Sequence, residues 1–200
     1  MIAEEYYLNT NDEKILTAFR AIKKDVANIL STLGLDITDP SIMDTPKRVA
    51  KMLVLEICSG LFTDPPKITT FPNINHYDEM LIERNIKVHS TCEHHLLPFI
   101  GVAHVSYIPS DKLIGLSKIN RIVDYYARRP QLQERLTNDI GKFLQTNLNT
   151  ENVAVVLSCK HLCTVVRGVK DENNSTVTSF LGGNFRKPEV RAELLTLIGL

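Results

Sequence analysis

The sequence predicts an α+β fold, an antiparallel sheet with helices on one face behind an N-terminal helical extension. Three observations carry this expectation. Residues 12–33 and 44–60 keep the three-to-four-residue apolar rhythm of amphipathic helices. From residue 82 that rhythm gives way to short apolar, β-branched runs bounded by turn residues. Two further helical patterns then lie between pairs of strands, an order that suits helices laid over an antiparallel sheet.

Each element has its own signal. Ile15, Leu16, Phe19, Ile22, Val26, Ile29, Leu30 and Leu33 form the first apolar stripe, which Gly34 stops. "MDTPKRVAKMLVLEICSG" offers Asp44 and Thr45 as caps, Pro46 at the first helical position, and an end at Gly60. "FTDPPK" is a loop, since two prolines do not fit inside an element. "IERNIKVHS" and "FIGVAHVSYIP" are the first two strands. Ser117 opens a helix through Ile119, Ile122, Val123 and Tyr126 that Pro130 ends, and Leu132, Leu136, Ile140, Phe143 and Leu144 mark the next. "NVAVVLS", "CTVVRGV" and "VTSFLG" return to strand chemistry, with "DENNS" as a turn, and "PEVRAELLTLIG" is a short final helix. Residues 1–65 are therefore the helical extension and 66–200 the α+β domain.

Composition narrows the function. Lys plus Arg and Asp plus Glu balance at 23 each, so no overall basic field points to nucleic acid, and any anion site must be local. "MIAEEYYLNTNDEK" has no apolar h-region of a secretory signal, and no run approaches the roughly 18–20 apolar residues of a membrane span. Four cysteines in 200 residues are too few for a disulfide scaffold. Reduced thiols in a cytoplasmic protein, two of them beside histidines, favour metal binding.

"HSTCEHHLLPF" and "CKHLC" hold the chemistry. Zinc takes Cys thiolate and His nitrogen, with four protein ligands in structural sites and an open position in catalytic ones. Cys92 and His95 are three apart, within one tight turn, while His161 and Cys163 are two apart and would share a side of a strand. A closed Cys₂His₂ site built from Cys92, His95, His161 and Cys163 is an alternative; simple packing is the plainer reading of Cys159 and Cys58. Ser117, Lys118 and Arg121 cluster at a helix start, where backbone N–H groups favour anions. Arg167 on a late strand, and Arg48 and Lys51 one helical turn apart, could extend this into a polyphosphate site. The competing reading of these cations is a solvated face with routine ion pairs.

At this point the chain resembles the GTP cyclohydrolase I family, through "DTPKRVAKM", "STCEHHLLPF", "YIPSDKLIGLSKINRIVDYYARRPQLQERLT" and "KHLCTVVRGV". The resemblance implies the tunnelling fold, with its strand–strand–helix–helix–strand–strand order, and homodecamers with active sites at subunit boundaries. It implies conversion of GTP and water to 7,8-dihydroneopterin triphosphate and formate, with no redox cofactor. Carried over, Cys92, His95 and Cys163 bind one zinc per subunit, leaving a position for water, and His94, His161 and Ser117 handle protons. Gln133 and Glu134 meet the guanine; Lys118, Arg121 and Arg167 hold the triphosphate, with Arg48 and Lys51 reaching in from another subunit. For Glu134 the alternative is a surface pair with Arg135 or Arg128. Glu93 acquires no role. After "RGV", "TSF" stands where the family more often has small residues.

Three rivals are weaker. Another enzyme of the same fold would need neither the Cys/His/Cys set nor the triphosphate cations. A zinc deaminase would show H-x-E and P-C-x-x-C, which are absent. A zinc-stapled binding module would need neither His94 nor His161.

Overall fold

The computed structural model describes residues 4–199; the first three residues of the stretch that argued against a secretory signal lie outside them. The chain divides into two compact units, one ending at Asp64 and one beginning at Pro65.

The first unit contains α1 (Glu4–Leu8), α2 (Glu13–Thr32) and α3 (Thr45–Met52). Asp12 caps α2 by accepting a hydrogen bond from the Lys14 amide at 2.8 Å. Beyond its end Gly34 takes φ +83°, a left-handed backbone that costs glycine little. Leu16 and Phe19 close a small core with Ala50 and Val54, while the far half of the stripe, Ile29 and Leu33, stays exposed. The second helix departs from expectation. Asp44 makes no side-chain cap and lies 3.8 Å from Arg48 instead. After Met52 the helix widens to a π turn over Leu53–Ile57, where the Cys58 amide reaches back to the Leu53 carbonyl, and tightens over Ser59–Leu61.

The second unit runs β1 (Thr70–Pro72), β2 (Leu81–Cys92), β3 (Pro98–Tyr107), β4 (Lys112–Ile114), α4 (Leu116–Ala127), β5 (Pro130–Gln131) and α5 (Gln133–Leu148). It ends with β6 (Val153–His161), α6 (Leu162–Val165), β7 (Thr176–Leu181) and α7 (Pro188–Ile198). The main sheet has the order β5-β2-β3-β6-β7, antiparallel except where β5 joins β2 in parallel. This is an α+β architecture in the expected element order. The β1–β4 ladder and the two-residue β5 are additions too short for periodicity to announce.

Two expectations need correction. Helices lie on both faces of the sheet. Val153, Val155 and Leu157 of β6 enter the main core with Ile119 and Ile122 of α4 and Leu136 and Ile140 of α5. The alternate residues Ala154 and Val156 point the other way, onto Phe185 and onto Leu194 and Ile198 of α7. A strand apolar on both faces needs cover on both, and α7 supplies the second. The segment "CTVVRGV", in turn, is not a strand: α6 begins at Leu162, and Arg167 lies in the bend after it. The last β3–β6 pair is Phe99 with His161, and just before Phe99 stands Pro98, which has no N–H. With no ladder left, the backbone satisfies itself locally, Val166 N–H to the Leu162 carbonyl at 3.0 Å.

Candidate active site and metal centre

The β2–β3 connection is a tight turn closed by backbone bonds from Leu96 to the Cys92 carbonyl (2.9 Å) and from Cys92 to the Leu97 carbonyl (2.8 Å). Leu96 sits at φ +54°, a left-handed conformation uncommon for a branched side chain. The Glu93 amide donates to the Gln131 carbonyl at 3.1 Å, which pins the turn to β5. Cys92 is thereby buried and His94 and His95 are exposed side by side, their rings edge to face at 6.2 Å. On the neighbouring strand end, His161 closes β6 and Cys163 follows in the first turn of α6, where Thr164 Oγ1 donates to the His161 carbonyl at 2.9 Å.

The turn and α6 bring Cys92, His95 and Cys163 together, with ligand atoms all within 4.8 Å of one another. Two thiols and an imidazole form a soft donor set suited to a zinc-like ion, with room for a further ligand. Burial first, and then the neighbouring Cys92 thiol, push the Cys163 thiol up, while Arg167 pulls it down. Cys159 is not part of the group. It faces the main core, and burial pushes its thiol up to about 12. Gly101 makes room for it, since a Cβ there would run into Cys159 and the Ser158 carbonyl. Cys58 is likewise buried, in the first unit.

The triad opens on a cleft of about 350 Å³ whose walls include His94, Gln133, Glu134 and His161. His161 stacks on Phe99, centroids 4.7 Å apart at 12°, and its Nε2 lies 2.8 Å from Gln133 Oε1. Burial is the main influence on the ring and lowers its pKa; the Glu134 charge opposes it. Glu134 itself is exposed at the start of α5. Of the arginines considered as its partners, Arg135 forms a two-pronged pair with Glu93 (2.6 and 3.2 Å), and Arg128 lies 2.7 Å from Asp124. Glu93 thus ties the metal-side turn to α5.

The cationic candidates are placed differently. Ser117, Lys118 and Arg121 stand on the first turns of α4 and are not among the residues lining the cleft. Arg167 is near its edge, Nη1 at 2.8 Å from His95 Nε2. Arg48 and Lys51 belong to the first unit, on α3; the Lys51 ammonium bonds the Tyr7 carbonyl at 3.2 Å and lies 4.3 Å from that ring. Sequence reasoning missed Thr164, Asn174 and Thr176 in the cleft wall. Asn174 lies within the turn read from "DENNS" and Thr176 directly follows it, and their proximity to the site depends on where β7 begins, which composition does not give.

A soft-donor triad at the mouth of a cleft, with two imidazoles beside it, defines a class: a metal-capable α+β enzyme. The comparisons with known proteins make the class specific. Residues 22–199 match the GTP cyclohydrolase I family. A GTP cyclohydrolase 1 of Flavobacterium johnsoniae is 56% identical over 200 residues, covering 100% of this chain and 88% of that protein. One from Aeromonas salmonicida is 53% identical over 169 residues, 84% of this chain and 78% of that protein. The chain belongs to the GTP cyclohydrolase I family, and its activity is that of a GTP cyclohydrolase. No helix among the described residues is long and apolar enough to cross a membrane.

Proposed function

We propose that this chain opens the guanine imidazole ring of GTP by zinc-dependent hydrolysis, releases carbon 8 as formate and recloses the remainder as 7,8-dihydroneopterin triphosphate. The observation that carries the reading is the Cys92/His95/Cys163 group, its ligand atoms within 4.8 Å, on one cleft with His94 and His161. Cys92, His95 and Cys163 hold the zinc, one per chain. Zinc bound there supplies the Lewis acidity that makes water a competent nucleophile near neutral pH.

The chain's own residues do the rest. His161 gives a proton to N7 as the imidazole ring of the base opens, a task suited to an imidazole, which can both hold and release a proton. His94 and Ser117 pass protons as the ribose ring opens and the pterin ring closes. Glu134 accepts from guanine N1–H and the 2-amino group, two adjacent donors that match the two oxygens of a carboxylate. Gln133 stands beside it at the start of α5, its part taken up below. Lys118, Arg121 and Arg167, with Arg48 and Lys51 reaching in from another subunit, hold the triphosphate.

Ser117, Lys118 and Arg121 lie outside the cleft that one chain forms. Their absence from it supports a site completed at a subunit boundary, in a homodecamer of the tunnelling fold with residues 1–65 as a helical extension on a catalytic domain of 66–200. We place the protein in the cytoplasm. The test is incubation of zinc-loaded protein with GTP, followed by measurement of formate and of the fluorescent oxidised pterin. Both products are expected in equal amounts; formate without pterin would limit the activity to ring opening, and neither product would overturn the proposal.

A further inference from the structure

Gln133 is 1% exposed, and its side chain is already committed. Its amide nitrogen lies 2.9 Å from the Thr176 carbonyl, 3.0 Å from Thr178 Oγ1 and 3.3 Å from the Leu157 carbonyl. Two of these partners are backbone carbonyls, which only accept, so the nitrogen end of the amide must face them. The oxygen end then faces His161 Nε2 at 2.8 Å. A carbonyl oxygen only accepts, so Nε2 carries a hydrogen. In the neutral ring this leaves Nδ1 as the nitrogen with a free lone pair.

The surrounding hydroxyls fix the same arrangement. Thr137 Oγ1 donates to the Gln133 main-chain carbonyl at 2.7 Å, which uses its one hydrogen. Its 2.7 Å contact with Thr178 Oγ1 must therefore be donated by Thr178. Thr178 Oγ1 in turn accepts from the Gln133 amide. The protons run in one direction round a closed circuit, and each buried polar group in it is satisfied. Thr178 is the first residue of the "TSF" triplet in which this chain departs from the commoner small residues. Phe180, its third residue, fills space that a side chain at position 141 would need, and Gly141 leaves it open.

We propose that Gln133 is a positioning residue: with Thr137 and Thr178 behind it, it fixes the tautomer and ring plane of His161 and does not read the base. The proposal rests on the reading of His161 as a proton-transfer group. Phe99 holds one face of the imidazole by stacking, and the Gln133 carbonyl holds its Nε2–H edge. The ring then meets its task with Nδ1 as the nitrogen that exchanges a proton, while the Nε2 hydrogen stays on Gln133. Base selection is left to Glu134.

The test uses the assembled, zinc-loaded enzyme and the variant Gln133→Met, which keeps length and removes hydrogen bonding. Turnover should fall on the order of 10–100-fold, the usual cost of removing a partner that orients a reactive imidazole, with KM for GTP nearly unchanged. The preference for GTP over inosine triphosphate, which lacks the 2-amino group, should be unchanged. In a His161→Ala background the same substitution should cost nothing further, because two residues that act as one unit are not additive. Thr178→Val, which leaves the amide two of its three acceptors, should shift turnover in the same direction by less, and it keeps the test open if Gln133→Met does not fold. Nitrogen NMR of histidine-labelled enzyme, with His161 assigned by its loss in His161→Ala, should show one Nε2–H tautomer in wild type and a mixture in Gln133→Met.

A raised KM with retained turnover, a changed nucleotide preference, or an equal cost in both backgrounds would assign Gln133 to the base and overturn the proposal. So would a single tautomer unchanged in both variants. Unimpaired turnover in His161→Ala would remove the role of His161 itself. The NMR readout does not depend on turnover and judges Gln133 alone.

Discussion

Cys92, His95 and Cys163 are placed by backbone. The Cys92–Leu97 turn is closed by two main-chain bonds, and α6 starts where the β3–β6 ladder ends. Ser117, Lys118 and Arg121, within the same unit, stand on the open first turns of α4, with Ser117 and Arg121 exposed. One chain brings the Cys/His/Cys corner together by itself, whereas Ser117, Lys118 and Arg121 line no part of the cleft, and in the proposed reading a neighbouring chain supplies theirs. The difference follows from what each ligand demands. A soft ion needs donors fixed to within tenths of an ångström, which short side chains on hydrogen-bonded backbone provide. A triphosphate is large and mobile, and long cationic side chains converge on it after it arrives.

The largest effect should come from breaking the metal corner. Cys163→Ser should lose both zinc and activity. Cys159→Ser, four residues earlier on β6, should keep both, since its thiol faces the main core. Metal analysis of the purified variants with the GTP assay decides it. Release of zinc by Cys159→Ser would favour a closed, four-ligand centre and would overturn the open site.

The next effect sets the two halves against each other. His161→Ala should retain zinc and bind GTP yet turn over about 10²–10⁴-fold more slowly. Arg121→Ala should raise KM for GTP about 10–100-fold, the cost of a hydrogen bond to a charged group. If the halves come from different chains, each variant, assayed at GTP well below the raised KM so that both are impaired, carries the half that the other lacks. Dissociating the two, mixing them and reassembling should then restore part of the activity. No recovery after verified reassembly would place both halves in one chain and remove the contrast drawn above.

The contrast also bears on what a sequence can convey. Helices and the long strands were legible because burial on one side leaves a period, as in Ile119, Ile122 and Val123 of α4. The spacing of Cys92 and His95 was legible because a turn brings residues three apart together. "CTVVRGV" was misread because Thr164, Val165 and Val166 favour strands by composition, while the ladder that would hold them ends at Phe99. The surroundings of Gln133 were beyond reach. Its partners Leu157, Thr176 and Thr178 are 24 to 45 residues away, and only the register of β6 against β7 brings them to one atom. That register depends on the whole sheet, and no local pattern records it.

The smallest effect separates the pH dependence of the sheet from that of the site. His104 lies on β3, the strand whose Phe99 stacks on His161, so acid loosening of β3 would resemble titration of the cleft. It stands opposite Val156, on the face that α7 helps to cover, is 6% exposed, and its Nδ1 has no hydrogen-bond partner among the described residues. Burial first, and the nearby Arg84 charge second, hold its pKa below that of an exposed imidazole. The unfolded chain therefore binds the proton more readily, titrating at about pH 6.5. The contribution of neutral His104 to stability is fully present above that pH and is lost as pH falls through the lower folded value. His104→Leu removes the titrating group and leaves an apolar side chain of similar bulk at a buried position. Thermal unfolding at about pH 7.5 and about pH 5.5 should show a smaller acid-induced drop in Tm for this variant than for wild type. An identical drop would mean that His104 does not set the acid sensitivity of the sheet. Activity lost over that range would then have to be traced to groups in the cleft.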